Sequence, residues 1–498
     1  MDETRSQLLP GLPPGDKVDG EASGATQMDR MRAAAAVATG RLTGAMARRL
    51  GAGGGTSVPG KAATRVYPDI ARYLAAQLRH GSVVITGTNG KTTTSGMTAA
   101  ALRAGGFRVW RNREGANLLQ GVASALIIRS RFSGHLRWRG DAAAVLEVDE
   151  AAFPVIVSAV RPRAVVVTNL FRDQLDRYGE VDTVLRRWAS ALAQLPSETW
   201  LILNADDPSV ASLALAAPHL RTVFFGIDAA LPAHDPAALE SDIVDTRTCP
   251  RCSTPLMFSL RLYSHLGHWS CAACGYARPE GAITAREVRA SGMDGSRFTC
   301  DVNGTVSSAL VPLPGAYNIY NALAAVTVAH VFGIEPQAAL EAIARFEPAF
   351  GRGERISVDG REVRLLLAKN PTGLNEVLRA LADEPHPHLL FLLNDQPADG
   401  EDVSWIWDAG FESVASLDPA YVATGGRRAY DLALRLKYTG VLPVNREPSI
   451  ERALDHALEA TPPGSALYVI PTYTALLEVR GVLERRGFTA PYWEHSHA

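Results

Sequence analysis

The feature that most constrains this chain is a short apolar run, Ser82-Val-Val-Ile-Thr86, that leads straight into Gly87-Thr-Asn-Gly-Lys-Thr-Thr93 and then into a helical stretch, Thr92 to Ala104. Strand, glycine-rich turn, Lys-Thr and helix, in that order, make a phosphate-binding loop. Backbone N–H groups at the helix N-terminus cradle phosphate oxygens, Lys91 neutralises their charge, and Thr92 offers a hydroxyl to magnesium. Gly87, Thr88, Asn89, Gly90, Lys91, Thr92 and Thr93 are therefore the candidate nucleotide-binding residues. The usual pattern has glycine at position 85, where this chain carries Ile85.

Around the loop the chain alternates between short apolar runs and helical stretches. AAAVLEV, RAVVVTNL, TWLILN and RTVFFG read as strands of a parallel sheet covered by helices, and Gly315 to Phe332 reads as a closing helix. After Gly351 the alternation restarts with VRLLLA, HLLFLLND, YVATGG and ALYVIPTY, a second and smaller α/β domain. The expected division is an N-terminal arm over residues 1–60, a central ATP-binding domain over 61–350 and a C-terminal α/β domain over 351–498. Within the arm, residues 1–28 read as disordered, 29–50 as one or two helices, and Gly51 to Gly60 as a hinge. Tyr67 to Arg79 reads as a further helix.

The formal charge of −2 and the absence of a basic stripe argue against nucleic acid as a partner. No apolar run reaches the 18 residues a membrane-spanning helix needs, and the N-terminus lacks the pattern of a secretory signal, so the expected location is cytoplasmic. In that compartment four of the five cysteines form a metal pattern. Cys249-Pro-Arg-Cys252 and Cys271-Ala-Ala-Cys274 are two knuckles, each presenting two thiolates, and together they complete a tetrahedral zinc site. The closed ligand set makes it structural, within an insert spanning roughly 246–278. His265 and His268 read as polar surface residues and Cys300 as a buried or incidental thiol.

GTNGKTTT is the form the loop takes in Mur ligases and folylpolyglutamate synthases, and from about residue 60 onward the chain resembles that superfamily. LEVDEA (146–151) lies where the family has a magnesium-binding glutamate, so the resemblance gives Glu147 that role beside Thr92. Residues 169–179 resemble the family's "DHLD.yG" segment. LNADDP (203–208) and PGAYNIYNALAA (314–325) resemble nucleotide-contacting segments, with Asn318 and Asn321 as the contacts. FGRGERI (350–356) resembles the phosphate-contacting Gly-Arg at the domain junction, which falls to Arg352. The chain departs from the family where a metal-binding histidine becomes Gln174, where a carbamoylated lysine becomes Trp188, and where "DDYAHNP" becomes LLLAKNP with Lys369. The region before the loop is also too short for a UDP-binding domain.

The C-terminal segments ND.PADG.DVSWIWD (394–408), TGGRRAYDLALRLKY (424–438) and VIPTYTALLEVR (469–480) resemble the MurT family, the Mur-ligase-like subunits of lipid II isoglutaminyl synthase. That resemblance implies ATP, Mg2+ and Zn2+ as cofactors. It also implies lipid II at the cytoplasmic membrane face as substrate, and a GatD-like glutaminase subunit of the class-I type as partner. ATP would activate the α-carboxyl of D-glutamate as an acyl phosphate, and ammonia from the partner would convert it to D-isoglutamine. Lys91 and Glu147 would serve the activation. An aspartate would orient the partner's histidine, with Asp402 the first choice and Asp395 the second. Two alternatives stay open: a self-sufficient amino-acid-adding ligase, and a zinc-ribbon nucleic-acid-binding NTPase.

Overall fold

The computed structural model describes residues 26–49, 57–112, 116–137, 142–172, 181–229, 246–347 and 351–490. Most of the N-terminal segment expected to be disordered, residues 1–25, lies outside them, while Gln27 and Met28 already belong to a helix.

Three helices precede the first strand: α1 (Gln27–Arg49), α2 (Val58–Val66) and α3 (Ile70–Ala75). The hinge expected through Gly60 instead becomes helix from Val58, and the helix expected over Tyr67–Arg79 is confined to Ile70–Ala75. Pro59 explains the first difference, since proline in a first helical turn gives up no hydrogen bond and presets φ. Gly60 is required by packing. A Cβ there would lie 1.9 Å from the carbonyl oxygen of Gln120, at the start of α5 (Leu119–Ile128), and its N–H donates to Ser124 Oγ at 2.7 Å. Gly40 plays the same part between α1 and α2, with Pro59 O only 2.7 Å from a built Cβ. Helices this close form a tight layer against the sheet behind them.

The central sheet has nine strands in the order β11-β10-β9-β6-β5-β4-β1-β3-β2. They are β1 (Ser82–Thr86), β2 (Arg108–Arg111), β3 (Ala142–Glu147), β4 (Ala164–Val167), β5 (Trp200–Asn204), β6 (Arg221–Ile227), β9 (Ile283–Ala290), β10 (Ser296–Val302) and β11 (Thr305–Val311). Strands β2, β3, β1, β4, β5, β6 and β9 pair in parallel, and β10 and β11 extend the sheet antiparallel. Strands β9 to β11 escape the apolar-run reading because exposed polar residues interrupt their buried ones, most regularly in β10, as in half-solvated strands. In β1, by contrast, Val83 and Ile85 enter one core cluster and Val84 the other, so both faces are dry. One face is covered by α4 (Lys91–Ala104), α9 (Tyr317–Val331) and α10 (Pro336–Ala344); the other carries α1 to α3, α5, α6 (Phe153–Val160), α7 (Val181–Leu192) and α8 (Pro208–Ala216). Strands β7 (Met257–Tyr263) and β8 (Leu266–Ser270) form a separate hairpin within the insert.

A second sheet of six strands runs β12-β13-β17-β14-β15-β16: β12 (Arg352–Val358), β13 (Arg361–Leu366), β14 (His388–Leu392), β15 (Tyr421–Gly425), β16 (Asn445–Glu447) and β17 (Ala466–Pro471). It is parallel apart from the β12–β13 hairpin. Helices α11 (Pro371–Ala380), α12 (Ala429–Tyr438), α13 (Ile450–Ala460) and α14 (Tyr473–Arg485) cover it. The α/β class and the paired sheets follow the sequence reading.

Replacing Gly60 with alanine forces the α2 backbone away from α5. An overpacking cost of about 1–3 kcal/mol is expected, read as a lower midpoint in chemical denaturation. An unchanged midpoint would contradict this packing.

Candidate functional site

The site forms at the carboxyl ends of β1, β3 and β4, where the strand order reverses, the position at which open α/β sheets bind ligands. Gly87 (φ 135°) and Gly90 (φ 84°) take left-handed backbone. Neither has room for a side chain, since a Cβ would stand 2.2 Å from Thr168 Oγ1 and 2.1 Å from Asn321 Oδ1 respectively. Ile85 needs no glycine, because it lies inside β1, fully buried, before the loop begins. Asn169, just past β4, holds the loop: Thr88 N–H donates to its carbonyl at 3.1 Å and Asn89 N–H to its Oδ1 at 2.8 Å. Thr93 lines the same pocket in the first turn of α4, whose N–H groups face an incoming anion.

Lys91 and Thr92 start α4 and are both buried. Thr92 Oγ1 donates to Glu147 Oε1 at 2.9 Å, so the two residues expected to share magnesium meet. Register explains why: Ile85 in β1 pairs with Glu147 at the end of β3. Lys91 Nζ lies 2.7 Å from Glu150 Oε1 and donates to Gly87 O at 2.6 Å. Asp149 and Glu150 went unnoticed in the sequence although they adjoin Glu147 in LEVDEA; both line the pocket. The pocket spans the two sheets, with Lys369, Asn370 and Glu376 on its far wall, and Asn370 Nδ2 donates to Asn89 Oδ1 at 3.1 Å.

The other expected residues fall as follows. Asn318 lines the pocket. Asn321 backs the loop, accepting from Thr94 Oγ1 at 3.0 Å and donating to Asn318 Oδ1 at 2.9 Å. Arg352 opens β12 at the junction. Gln174 lies outside the described residues. Trp188 is fully buried and donates its indole N–H to Glu150 O at 2.9 Å, so it braces the carboxylate segment from behind. Asp206 and Asp207 of LNADDP are buried and hold structure. Asp206 accepts from Tyr320 OH, Ile227 N–H and Arg278, while Asp207 caps α8.

The insert presents Cys249, Cys252, Cys271 and Cys274 with all four sulfurs within 4.8 Å of one another. Sγ separations of 3.6 Å (Cys249–Cys274) and 3.5 Å (Cys252–Cys271) are close to the roughly 3.8 Å edge of a tetrahedron with 2.3 Å zinc–sulfur bonds. Each knuckle closes on a left-handed residue, Ser253 (φ 60°) or Gly275 (φ 71°), with Ser253 N–H returning to Cys249 O and Gly275 N–H to Cys271 O. The donor set therefore fits zinc. The insert is fastened to the central sheet by Trp269 Nε1–H to Ala205 O (3.1 Å) and Gly267 N–H to Asp206 O (3.0 Å). His265 corrects the expectation of a surface residue: it is fully buried against Phe171, 3.4 Å from Asp207 Oδ2. His268 is half-buried, with Nε2 2.9 Å from Ile227 O. The hairpin docks on the sheet rather than standing off it, and sequence spacing carries no sign of that. Tyr263 of the hairpin reaches the pocket wall.

The Mur ligase middle domain family matches residues 85–247, and the MurT ligase C-terminal family matches residues 367–476. The lipid II isoglutaminyl synthase (glutamine-hydrolyzing) subunit MurT of Streptococcus pneumoniae is 33% identical over 87% of this chain and 93% of its own length. The Staphylococcus aureus subunit of the same name is also 33% identical, over 86% and 93%. The chain belongs to the MurT family. Among solved structures, a pseudomurein peptide ligase type C from Methanothermus fervidus superposes with a TM-score of 0.64 at 22% identity, covering 84% of this chain and 81% of its own. MurF from Acinetobacter baumannii superposes at 0.62 with 17% identity, covering 86% and 80%. These two likenesses show that the chain has the fold of Mur ligases.

Two outcomes follow. Lys91→Ala is expected to abolish ATP turnover and also to destabilise the fold by about 2 kcal/mol, because it takes the ammonium partner away from the buried Glu150 carboxylate. Lys91→Ala with Glu150→Gln should regain that stability but no turnover; equal denaturation midpoints for single and double variants would refute the pairing. Metal analysis is expected to find one zinc per chain, lost on Cys249→Ser together with thermal stability.

Proposed function

We propose that this chain is the ATP-dependent ligase subunit that amidates the D-glutamate α-carboxyl of the lipid II stem peptide, using ammonia released by a separate glutaminase subunit. The observation that carries the ligase half is the loop of Gly87 to Thr93 facing Glu147 and the C-terminal sheet across one cleft, in a chain matched almost end to end by relatives named for this reaction. The substrate carboxylate attacks the γ-phosphorus of ATP, ADP leaves, and the acyl phosphate that results is attacked by ammonia with loss of phosphate. Lys91 draws the phosphate oxygens towards α4, and the α4 N–H groups hold them in line. Thr92 and Glu147 would hold magnesium, which supplies charge neutralisation between the phosphates. Lys369 and Asn370 of the second domain close over the loop from the opposite wall.

The cysteine inventory supports the separate glutaminase. Glutamine hydrolysis by this class needs an accessible thiolate. Four of the five cysteines are gathered in the insert, and Cys300 is fully buried, its thiol pushed up to about 12 by desolvation. An exposed apolar stripe on the C-terminal domain supports a partner contact there. Tyr430, Leu434 and Tyr438 form an exposed stripe along α12, and Trp407 packs edge-on against Tyr438 with ring centres 5.5 Å apart.

Of the two aspartates offered by the sequence, Asp402 lies five residues before Trp407 and Asp395 pairs with Arg427 and Arg428 at the start of α12. Asp402 accepts from Ser404 N–H at 2.8 Å, which holds its carboxyl below the ordinary range, just before the turn of Ser404–Trp407. Asp395 sits at the start of α12, with Arg427 Nε 2.8 Å away. Its neighbour Asn394 is pinned by Thr472, Thr474 and Glu478. Asp395 is the more firmly held of the two, and an aspartate that orients an imidazole has to be held. Asp399, the third acid of the segment, is buried and takes the Thr474 N–H and hydroxyl.

The isolated chain is expected to hydrolyse no glutamine but to amidate a stem peptide slowly with ammonium and ATP. In the complex, Asp395→Asn should cut glutamine hydrolysis by about 100-fold or more, by analogy with the loss of the acid from other triads, while ammonium-driven amidation survives. Should Asp402→Asn alone have that effect, Asp402 is the orienting acid; glutamine hydrolysis by the chain unaided would defeat the two-subunit reading.

A further inference from the structure

We propose that the outer face of α1, with the turn at Arg131-Phe132, is a docking surface for an anionic lipid bilayer. The inference rests on the functional reading above, in which the substrate is carried by a lipid, and it gives that reading a way to bring the cleft to the substrate.

Helix α1 is apolar on two opposite sides. Ala33, Ala36, Val37 and Gly40 face inward and are buried against α2 and the layer beneath. Met28, Met31, Leu42 and Met46 face outward and are 58–65% exposed. At 100° per residue these four fall within an arc of about 60° on the side opposite the buried residues. A surface helix ordinarily turns polar residues to solvent on the face opposite its core, yet here a ridge of long, flexible apolar side chains faces solvent. Phe132 continues the ridge. It is 55% exposed, and the Arg41 guanidinium lies 4.4 Å from its ring centre while donating to Ser130 O at 2.8 Å. The turn is pinned in place by Gln77, whose Nε2 donates to Gly134 O at 3.1 Å and whose Oε1 accepts from Leu136 N–H at 3.0 Å.

Charge decides what covers this ridge. From Gln27 to Arg79 the sequence has nine Lys and Arg residues and two acids, although the whole chain carries a formal −2. Arg30, Arg32 and Arg131 are exposed beside the apolar side chains, and Arg41 feels the like charge of Arg137. Apolar residues flanked by arginines suit the boundary between acyl chains and anionic headgroups. A second copy of the chain would set these arginines against each other. No helix among the described residues is long and apolar enough to cross a membrane, so the contact is peripheral. The placement also serves the reaction: α2 of this layer packs directly on α5, and Asn117, two residues before α5 begins, lines the cleft.

The test is co-sedimentation of the full-length chain with vesicles of phosphatidylcholine plus phosphatidylglycerol, and of phosphatidylcholine alone. Binding should be strong only to the anionic vesicles and should fall as salt rises. Leu42→Glu and Met46→Glu, both on the exposed ridge, should each weaken it by roughly tenfold or more, with unchanged melting and unchanged ammonium-driven amidation of a soluble stem peptide. Amidation of the same peptide anchored in anionic vesicles should fall in parallel with binding. The proposal is overturned if wild-type chain does not bind anionic vesicles, or if the glutamate variants bind as well as wild type. It is equally overturned if the ridge proves covered in solution, either by a second copy, seen as a dimer that Leu42→Glu dissociates, or by residues 1–25, seen as vesicle binding only after their removal. If vesicle binding behaves as expected but the soluble peptide is never amidated, the functional reading fails and the docking surface stands.

Discussion

Strand β1 has neither a free edge nor a free face, and the rest of the site depends on that. Its register against β3 puts Ile85 beside Glu147, and its register against β4 puts Thr86 beside Val167, so three strand ends stop at one level. The chain leaving β1 must turn at once into α4, which the left-handed glycines at 87 and 90 allow, while Thr168, Asn169 and Asn321 fill the space a side chain would need. The turn that leaves the α4 N–H groups facing the cleft is thus set by packing behind the loop. In such an arrangement the phosphate site is formed before any ligand arrives, and ligand binding costs little backbone ordering.

The cysteine insert belongs to the same body. Asp206, buried just past β5, accepts bonds from β6, from α9 through Tyr320 and from the insert through Arg278; desolvation raises its carboxyl pKa, and those partners oppose the rise. Asp207 beside it caps α8, accepts from Leu170 N–H and meets His265 of the insert. Phe171, the residue after Leu170, in turn bonds the phosphate loop: its N–H donates to Thr88 Oγ1, and Thr88 Oγ1–H donates to its carbonyl. The cluster of four cysteines therefore anchors a hairpin whose tip is wedged two contacts away from the nucleotide loop. A zinc ion held there would act on the cleft only through that wedge, from outside the cleft itself.

What the sequence makes legible divides by kind of interaction. Buried parallel strands such as Val83–Ile85 announce themselves as apolar runs, and a phosphate loop or a pair of cysteine knuckles announces itself by spacing, because each needs fixed residue types at fixed intervals. The strands β9 to β11 at one end of the sheet do not, since exposed polar residues break up their buried ones. Helix α2 hides behind Pro59 and Gly60, which signal a hinge when packing is unknown. His265, Tyr263 and the Lys91–Glu150 pair are products of tertiary contact between segments dozens of residues apart or more, and no local pattern encodes them. Glu150 was nonetheless within reach: it stands three residues from Glu147, and a buried lysine needs a counter-charge before its ligand comes.

That counter-charge shapes what can enter the cleft. Glu147, Asp149, Glu150 and Glu376 line it against Lys91 and Lys369. A nucleoside triphosphate carries several negative charges of its own, and bringing it into a partly dehydrated cleft with an acidic surplus is unfavourable unless cations come with it. In the function proposed above, the Thr92–Glu147 pair, joined at 2.9 Å beside the loop, would hold the divalent cation. Glu147 would then serve as a ligand rather than a repelling group, and Lys91 would be left to exchange Glu150 for phosphate. The phosphate oxygens would win that exchange only where a cation reduces the repulsion around them. The surplus acids would thus favour the metal–nucleotide complex over the free nucleotide, and the carboxylate that holds Lys91 would work in the same direction.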